Sequence, residues 1–310
     1  MVRDHNALIS SIAGLKRQKN AVILAHTYQP GDVQDVADFV GDSYGLSVKA
    51  AATTAELIVF CGVRFMAETA AILNPSKTVI LAVPDAGCPM ADMITAPDLA
   101  DLKAGHPDHL VVCYVNSPAD VKALSDVCVT SSNAVAIVDQ LPRDKGIIFV
   151  PDKHLGSFVE KRTGRTMVLW NGFCPTHARI SPAMVQRARA EHPGACVIMH
   201  PEAPEKSRAC ADRLLSTGQM CAFVKSDSGS EYIVATETGV IHTLAKQNPG
   251  KRFYPVSSSI TCPNMHKGSL DSVLAALQGT GGLRITVPAE IAKKAEGSLR
   301  RMLELGGPAA

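Results

Sequence analysis

The sequence predicts an α/β protein made of three similar parallel-sheet modules, arranged with pseudo-threefold symmetry around a central site. Three observations predict it. Cys-Pro occurs three times, at Cys88, Cys174 and Cys262, with intervals of 86 and 88 residues. Three apolar runs end in polar side chains, and the first of these, His26, Tyr114 and His200, recur at intervals of 88 and 86. Seventeen residues after each stands a hydroxyl: Ser43, Ser131 and Thr217. One period shared by independent landmarks marks a repeated supersecondary unit.

The chain opens with MVRDHNALISSIAGLKRQ, an amphipathic helical pattern within residues 1–20. It has neither an apolar h-region nor a small-residue cleavage site, so a cytosolic protein is expected. Module one, 21–108, starts with AVILAHTYQ. A helix-length segment VQDVADFVGDSYGLSVKAAAT follows, then ELIVFCG (56–62) and TVILAVPDAGCP. Module two, 109–194, repeats the order as LVVCYVNS, the helix-length PADVKALSDV, GIIFVPD (146–152), TMVLWNGFCP and the helix-length SPAMVQRARAEH. Module three, 195–281, has CVIMHPE, YIVATE (232–237) and the more polar RFYPVSSSITCP. Strand-sized apolar runs alternating with helix-length segments predict parallel sheets. The segment 282–310 carries an amphipathic helix, AEIAKKAEGSLRRMLEL, over 289–305.

Composition narrows the function. With 46% apolar residues over 310 positions, the chain can bury a large core. Its 31 Lys and Arg against 29 Asp and Glu form no basic stripe, which argues against nucleic acid or an acidic membrane surface as partner. The longest apolar runs fall well short of a bilayer span. Nine Cys, an odd number, in a reducing compartment are expected as thiols or metal ligands rather than disulfides.

Open α/β sheets bind ligands beyond the carboxyl ends of their strands. If the three modules pack with those ends inward, three cysteines and three polar clusters converge on one cavity. Proline has no N–H and holds the residue before it extended, so each cysteine is expected to end its strand facing that cavity. Such a trio admits four occupancies. Structural zinc usually takes four protein ligands in close pairs, and no CxxC occurs. Catalytic zinc takes three plus water. Three thiolates can hold an iron–sulfur cluster with one iron left open. Three buried structural thiols are the remaining alternative.

Cys61, Cys113, Cys128, Cys196, Cys210 and Cys221 are expected as core or surface thiols, with Cys128 on a helix-like segment. A Cys174–His177 nucleophile pair is disfavoured, because neither Cys88 nor Cys262 has a His three residues on. A single strand-end His is ordinarily a satisfied hydrogen-bonding residue, and a Ser or Thr at a helix start is ordinarily an N-cap. The shared period raises these residues above that background.

The stretches AHTYQPGDVQDVADFVGDS, FMAETAAILNPSKTV, AGCPMADM, YVNSPADVKA, VTSSNAV, PDKHLG, NGFCPTH, MHPEAPE, STGQM, ATETGVIH and CPNMHKGSL together resemble the quinolinate synthase A family of NAD biosynthesis. The resemblance implies a triangular pseudo-threefold fold with a [4Fe-4S] cluster at its centre. It implies condensation of iminoaspartate with dihydroxyacetone phosphate to quinolinate, phosphate and water, and a transient contact with the enzyme that supplies iminoaspartate. Position by position, Cys88, Cys174 and Cys262 match the cluster ligands. His26, Tyr28, Ser43, Tyr114, Asn116, Ser131, His200, Glu202 and Thr217 match residues lining the substrate cavity. Glu202 is then expected as general base, and Tyr28 with His26 as proton relay. Ser43, Ser131, Thr217, His200 and Asn116 are expected to anchor anions, while Tyr114 closes the wall or donates to an intermediate. His177 is expected to support Cys174 or the rim.

Ala203, Arg64 and Thr176 depart from the family pattern, and none stands at a matched ligand position. Ser259 and Val256 stand where some members carry a further cysteine pair, so that redox control is expected to be absent. A non-catalytic iron–sulfur sensor or small-anion binder on this scaffold is the alternative, and the full set of proton-transfer residues speaks against it.

Overall fold

The computed structural model describes residues 5–307. It contains three parallel sheets of one topology. The first joins β1 (Ala21–His26), β2 (Phe39–Gly41), β3 (Leu57–Cys61) and β4 (Thr78–Leu81) in the order β2-β1-β3-β4. The second joins β5 (His109–Tyr114), β6 (Val127–Val129), β7 (Gly146–Val150) and β8 (Val168–Leu169) as β6-β5-β7-β8. The third joins β9 (Cys196–Met199), β10 (Arg213–Leu214), β11 (Glu231–Ala235) and β12 (Arg252–Pro255) as β10-β9-β11-β12. A short β13 (Leu283–Arg284) pairs antiparallel with β4. The expected three α/β modules are present.

The central strands read as nearly continuous apolar runs because helices cover both faces of each sheet. Ile23, Val111 and Val197 are completely buried. Helix His5–Gln18 packs on helix Leu270–Gln278 beside β1, and residues 1–4 of the expected N-terminal helix lie outside the described residues. The expected C-terminal helix runs Ala289–Leu305 and buries Ala295, Leu299 and Met302 against modules one and two. Ser298 there donates to the carbonyl of Lys122 at 2.9 Å. No helix among the described residues is long and apolar enough to cross a membrane.

Three sequence expectations need correction. Each module has a fourth, short strand, so VQDVADFVGDSYGLSVKAAAT is no single helix but helix Gly31–Val36, β2 and helix Ser43–Ala52. The cause is one carboxylate per module. Asp38 accepts the N–H of Ile23 at 2.8 Å and donates its own N–H to the Ile23 carbonyl. Asp126 does the same with Val111 and Asp212 with Val197. Each Asp thus pulls the chain back alongside the central strand. Cys128 accordingly lies in β6, not on a helix.

The cysteines, finally, do not end their strands. Leu81, Leu169 and Pro255 end β4, β8 and β12, and Cys88, Cys174 and Cys262 sit in the loops beyond. Each starts a tight turn into a 3-10 helix three residues on: Ala91–Met93, His177–Arg179 and Met265–Lys267. The cysteine carbonyl accepts the N–H four residues later, from Asp92, Ala178 and His266 at 3.2, 2.9 and 3.1 Å. Proline fits the first turn because its missing N–H would be unused there.

Candidate active site

The carboxyl ends of all three sheets enclose one cavity of about 150 Å³. It is lined by Cys88, Cys174 and Cys262, and by His26, Tyr28, Ser43, Tyr114, Asn116, Ser131, His200, Glu202 and Thr217. All twelve residues selected from the sequence therefore share one space, contributed by all three modules.

Local backbone geometry sets the two strand-end histidines. His26 Nδ1 accepts the N–H of Tyr28 at 3.1 Å, and His200 Nδ1 accepts that of Glu202 at 3.3 Å. This leaves each ring proton on Nε2, as tautomers inferred from partners. His200 Nε2 then donates to Ser131 Oγ at 3.1 Å. Burial outweighs the attraction of Glu202 and lowers both imidazoles to about 3, so both are neutral at ordinary pH.

Glu202 is 3% exposed. Its Oε2 accepts from His177 Nδ1 at 2.8 Å, while Oε1 has no hydrogen-bond partner. Burial pushes its carboxyl up, but the His177 ring bonded to it outweighs burial and holds it below the usual carboxylate range. An ionised, buried carboxylate with one free oxygen is suited to accept a proton from a bound molecule. Beyond His177 the network continues: Nε2 lies 2.7 Å from Thr236 Oγ1, which lies 2.8 Å from the Tyr28 hydroxyl. The same hydroxyl lies 2.8 Å from Thr217 Oγ1. With Nδ1–H donating to Glu202, Nε2 accepts from Thr236, and the directions along the chain are mutually consistent.

Thr236 was not selected from the sequence. The corresponding strand ends carry Gly62 and Pro151, so no repeat points to it. His177, expected to support Cys174 or the rim, lies 3.2 Å from Cys174 Sγ and also meets Glu202 and Thr236. Asp42 was also missed. It accepts from Gly45 N and Gly218 N at 2.9 and 3.2 Å, tying the starts of helices Ser43–Ala52 and Thr217–Ser226 together.

The three cavity thiols are free cysteines. Burial pushes Cys88 up to about 12 and raises Cys174 and Cys262 as well, so as thiolates they call for a bound cation. Backbone N–H groups oppose burial at each: Ala91 and Met90 at Cys88, His177 at Cys174, Met265 and Asn264 at Cys262. Sulfurs with amide donors aimed at them suit a soft, thiolate-bound metal group. Cys174, His177 and Glu202 also bring ligand atoms within 4.8 Å of one another.

This sulfur-rich, three-module site has close relatives. The family model described as quinolinate synthetase A protein matches residues 10–304. The chain belongs to the quinolinate synthetase A protein family. A quinolinate synthase of Dehalococcoides mccartyi (strain CBDB1) is 50% identical over 97% of this chain and 99% of its own length. One of Methanoregula boonei is 50% identical over 97% of this chain and 100% of its own. One of Geotalea uraniireducens is 47% identical over 95% and 96%. As a quinolinate synthetase A protein the chain is an enzyme.

Proposed function

We propose that the enzyme condenses iminoaspartate with dihydroxyacetone phosphate to quinolinate, with loss of phosphate and water, and that Cys88, Cys174 and Cys262 hold a [4Fe-4S] cluster. The observation that supports this most is the convergence of three free thiols, one per module, beside the Glu202–His177–Thr236–Tyr28 network. When bound, the cluster supplies a Lewis acid for a substrate oxygen.

The protein's own groups supply the rest. Glu202 takes a carbon-bound proton at its free Oε1, and His177 holds Oε2 so that this oxygen faces the substrate. Glu202 then hands that proton to a leaving oxygen and is ionised again, and the hydrogen-bonded chain conducts toward it: Tyr28 takes a proton from a substrate hydroxyl as its own passes through Thr236 to His177 Nε2 and the Nδ1 proton passes to Oε2. His26 and His200 present Nε2–H donors without adding charge. Ser131, Asn116 and His200 hold the phosphate and carboxylate groups, with Ser43 and Thr217 at two helix starts. The Asn116 Oδ1 is buried without a partner, which suits a ligand that donates to it. Tyr114, buried beside Glu202, closes the wall and keeps water from a hydrolysable imine. The enzyme that generates iminoaspartate is the expected transient neighbour.

Turnover without oxygen tests this. Protein reconstituted with iron and sulfide should bind about four irons per chain, and should form quinolinate and phosphate from dihydroxyacetone phosphate and freshly generated iminoaspartate. Full cluster assembly in Cys174→Ala would overturn the ligand assignment. A loaded parent that makes no quinolinate would overturn the reaction.

A further inference from the structure

The three cysteine turns share one tie to a neighbouring strand. The third residue beyond β3, β7 and β11 donates its N–H to the carbonyl two residues before each cysteine. Arg64 donates to Ala86 at 2.9 Å, Lys153 to Gly172 at 2.8 Å and Thr238 to Ile260 at 3.0 Å. One residue earlier the modules diverge. Modules two and three carry Asp152 and Glu237 there, each 0% exposed, and module one carries Val63.

Both carboxylates are committed to backbone around a cysteine. Asp152 Oδ2 accepts the N–H of Cys174 at 3.0 Å, and its Oδ1 accepts that of Leu155 at 2.6 Å. Glu237 Oε1 accepts the N–H of Cys262 at 3.1 Å and lies 2.9 Å from His266 Nε2. Its Oε2 accepts the N–H of Gly239 at 2.7 Å. Burying a carboxylate is costly unless its oxygens are bonded, and Val63 shows that the fold itself accepts an apolar residue at this place.

Resting on the cluster reading above, we propose that Asp152 and Glu237 are positioning residues for the ligand thiols Cys174 and Cys262. Each clamps its cysteine's backbone to the end of the neighbouring strand, so the sulfur keeps facing the cavity. Module one holds Cys88 through the shared backbone tie, with Val63 offering no side-chain acceptor. Groups that orient metal ligands from behind typically change metal affinity by about 10–100-fold when removed.

Two measurements test this on Asp152→Asn and Glu237→Gln. Iron release from the anaerobically loaded protein to a ferrous chelator should be about tenfold faster than in the parent. Amide exchange of the unloaded chain, followed by mass spectrometry, should quicken at the Cys174 peptide in Asp152→Asn and at the Cys262 peptide in Glu237→Gln, each sparing the other. Release and exchange at the parent's rates would overturn the proposal. So would exchange that quickens evenly along the chain, because the carboxylates would then hold the fold rather than the turns. A parent that takes up no iron overturns the cluster reading, while the exchange data still report on the clamp.

Discussion

Thr236 Oγ1 lies 2.7 Å from His177 Nε2 and 2.8 Å from the Tyr28 hydroxyl, joining a side chain of module two to one of module one through module three. Removing that hydroxyl separates Glu202 and His177 from Tyr28 without touching the thiols. Thr236→Val is expected to lower kcat by about 10–100-fold with little change in KM, the pattern of a lost transition-state interaction. Thr236→Ser, which restores the hydroxyl, should recover most of the activity. Steady-state kinetics of quinolinate formation without oxygen checks both variants. A valine variant with the parent's kcat would show that the bridge carries no proton.

Glu202→Gln keeps the shape of the side chain and an acceptor toward His177, but it removes the basic oxygen. Quinolinate formation should fall by about 10²–10⁴-fold. Iron content should match the parent, since the thiols are unchanged. Undiminished turnover at equal iron loading would take the base role from Glu202.

The repeated carboxylate that creates each module's second strand should matter to stability. Asp126→Ala removes an acceptor for the N–H of Val111 and is expected to cost about 1–3 kcal/mol in denaturant unfolding. Asp212 adds a pH dependence. Burial raises its carboxyl, but the hydrogen bonds from Arg189 and the Val197 N–H outweigh that and lower it below its ordinary value. A depressed carboxylate contributes stability above its unfolded pKa and loses it as pH falls through the folded one. Asp212→Asn should therefore flatten the acid side of the stability profile, modestly because Asp212 is partly exposed. An unchanged profile would remove Asp212 from the acid response.

Lys122 is completely buried, with Nζ donating to the Ser117 carbonyl at 2.6 Å beneath the C-terminal helix. Burial lowers its pKa. The unfolded chain then binds this proton more tightly than the folded one, so stability rises with pH between the folded pKa and about 10.4. Lys122→Met, which keeps the buried length without the charge, should abolish that rise. Lys122→Ala should cost about 2–5 kcal/mol through the cavity it opens. Denaturant unfolding at a series of alkaline pH values measures both, and a parent profile that is flat in this window would contradict the argument.

Much of the site was legible before the fold was known. His26, Tyr114 and His200, with Ser43, Ser131, Thr217 and the three cysteines, stand out because a threefold arrangement repeats its inward-facing positions at the module period. The same period runs through Asp38, Asp126 and Asp212, which recur at intervals of 88 and 86. That signal was present but passed over, because a single Asp between two apolar segments looks like any solvated turn residue. Asp152 and Glu237 were harder to see. They sit at equal distances beyond β7 and β11 but not at the module period, and Val63 breaks the series.

The three α/β modules, the trio of thiols and the residue types that meet them can be read along the chain, because strand and turn patterns are local and the repeat copies them. The packing of the modules against one another decides how those residues are wired. Thr236 meets His177 from 59 residues away and Tyr28 from 208, and neither separation is a module period. The fold decides, too, that the cysteines begin turns beyond their strands. The physical reason is that hydrogen-bond partners across modules are chosen by packing, where a buried donor or acceptor must find its match wherever the fold brings one. Periodicity marks which residues face inward, and burial sets which of them become partners.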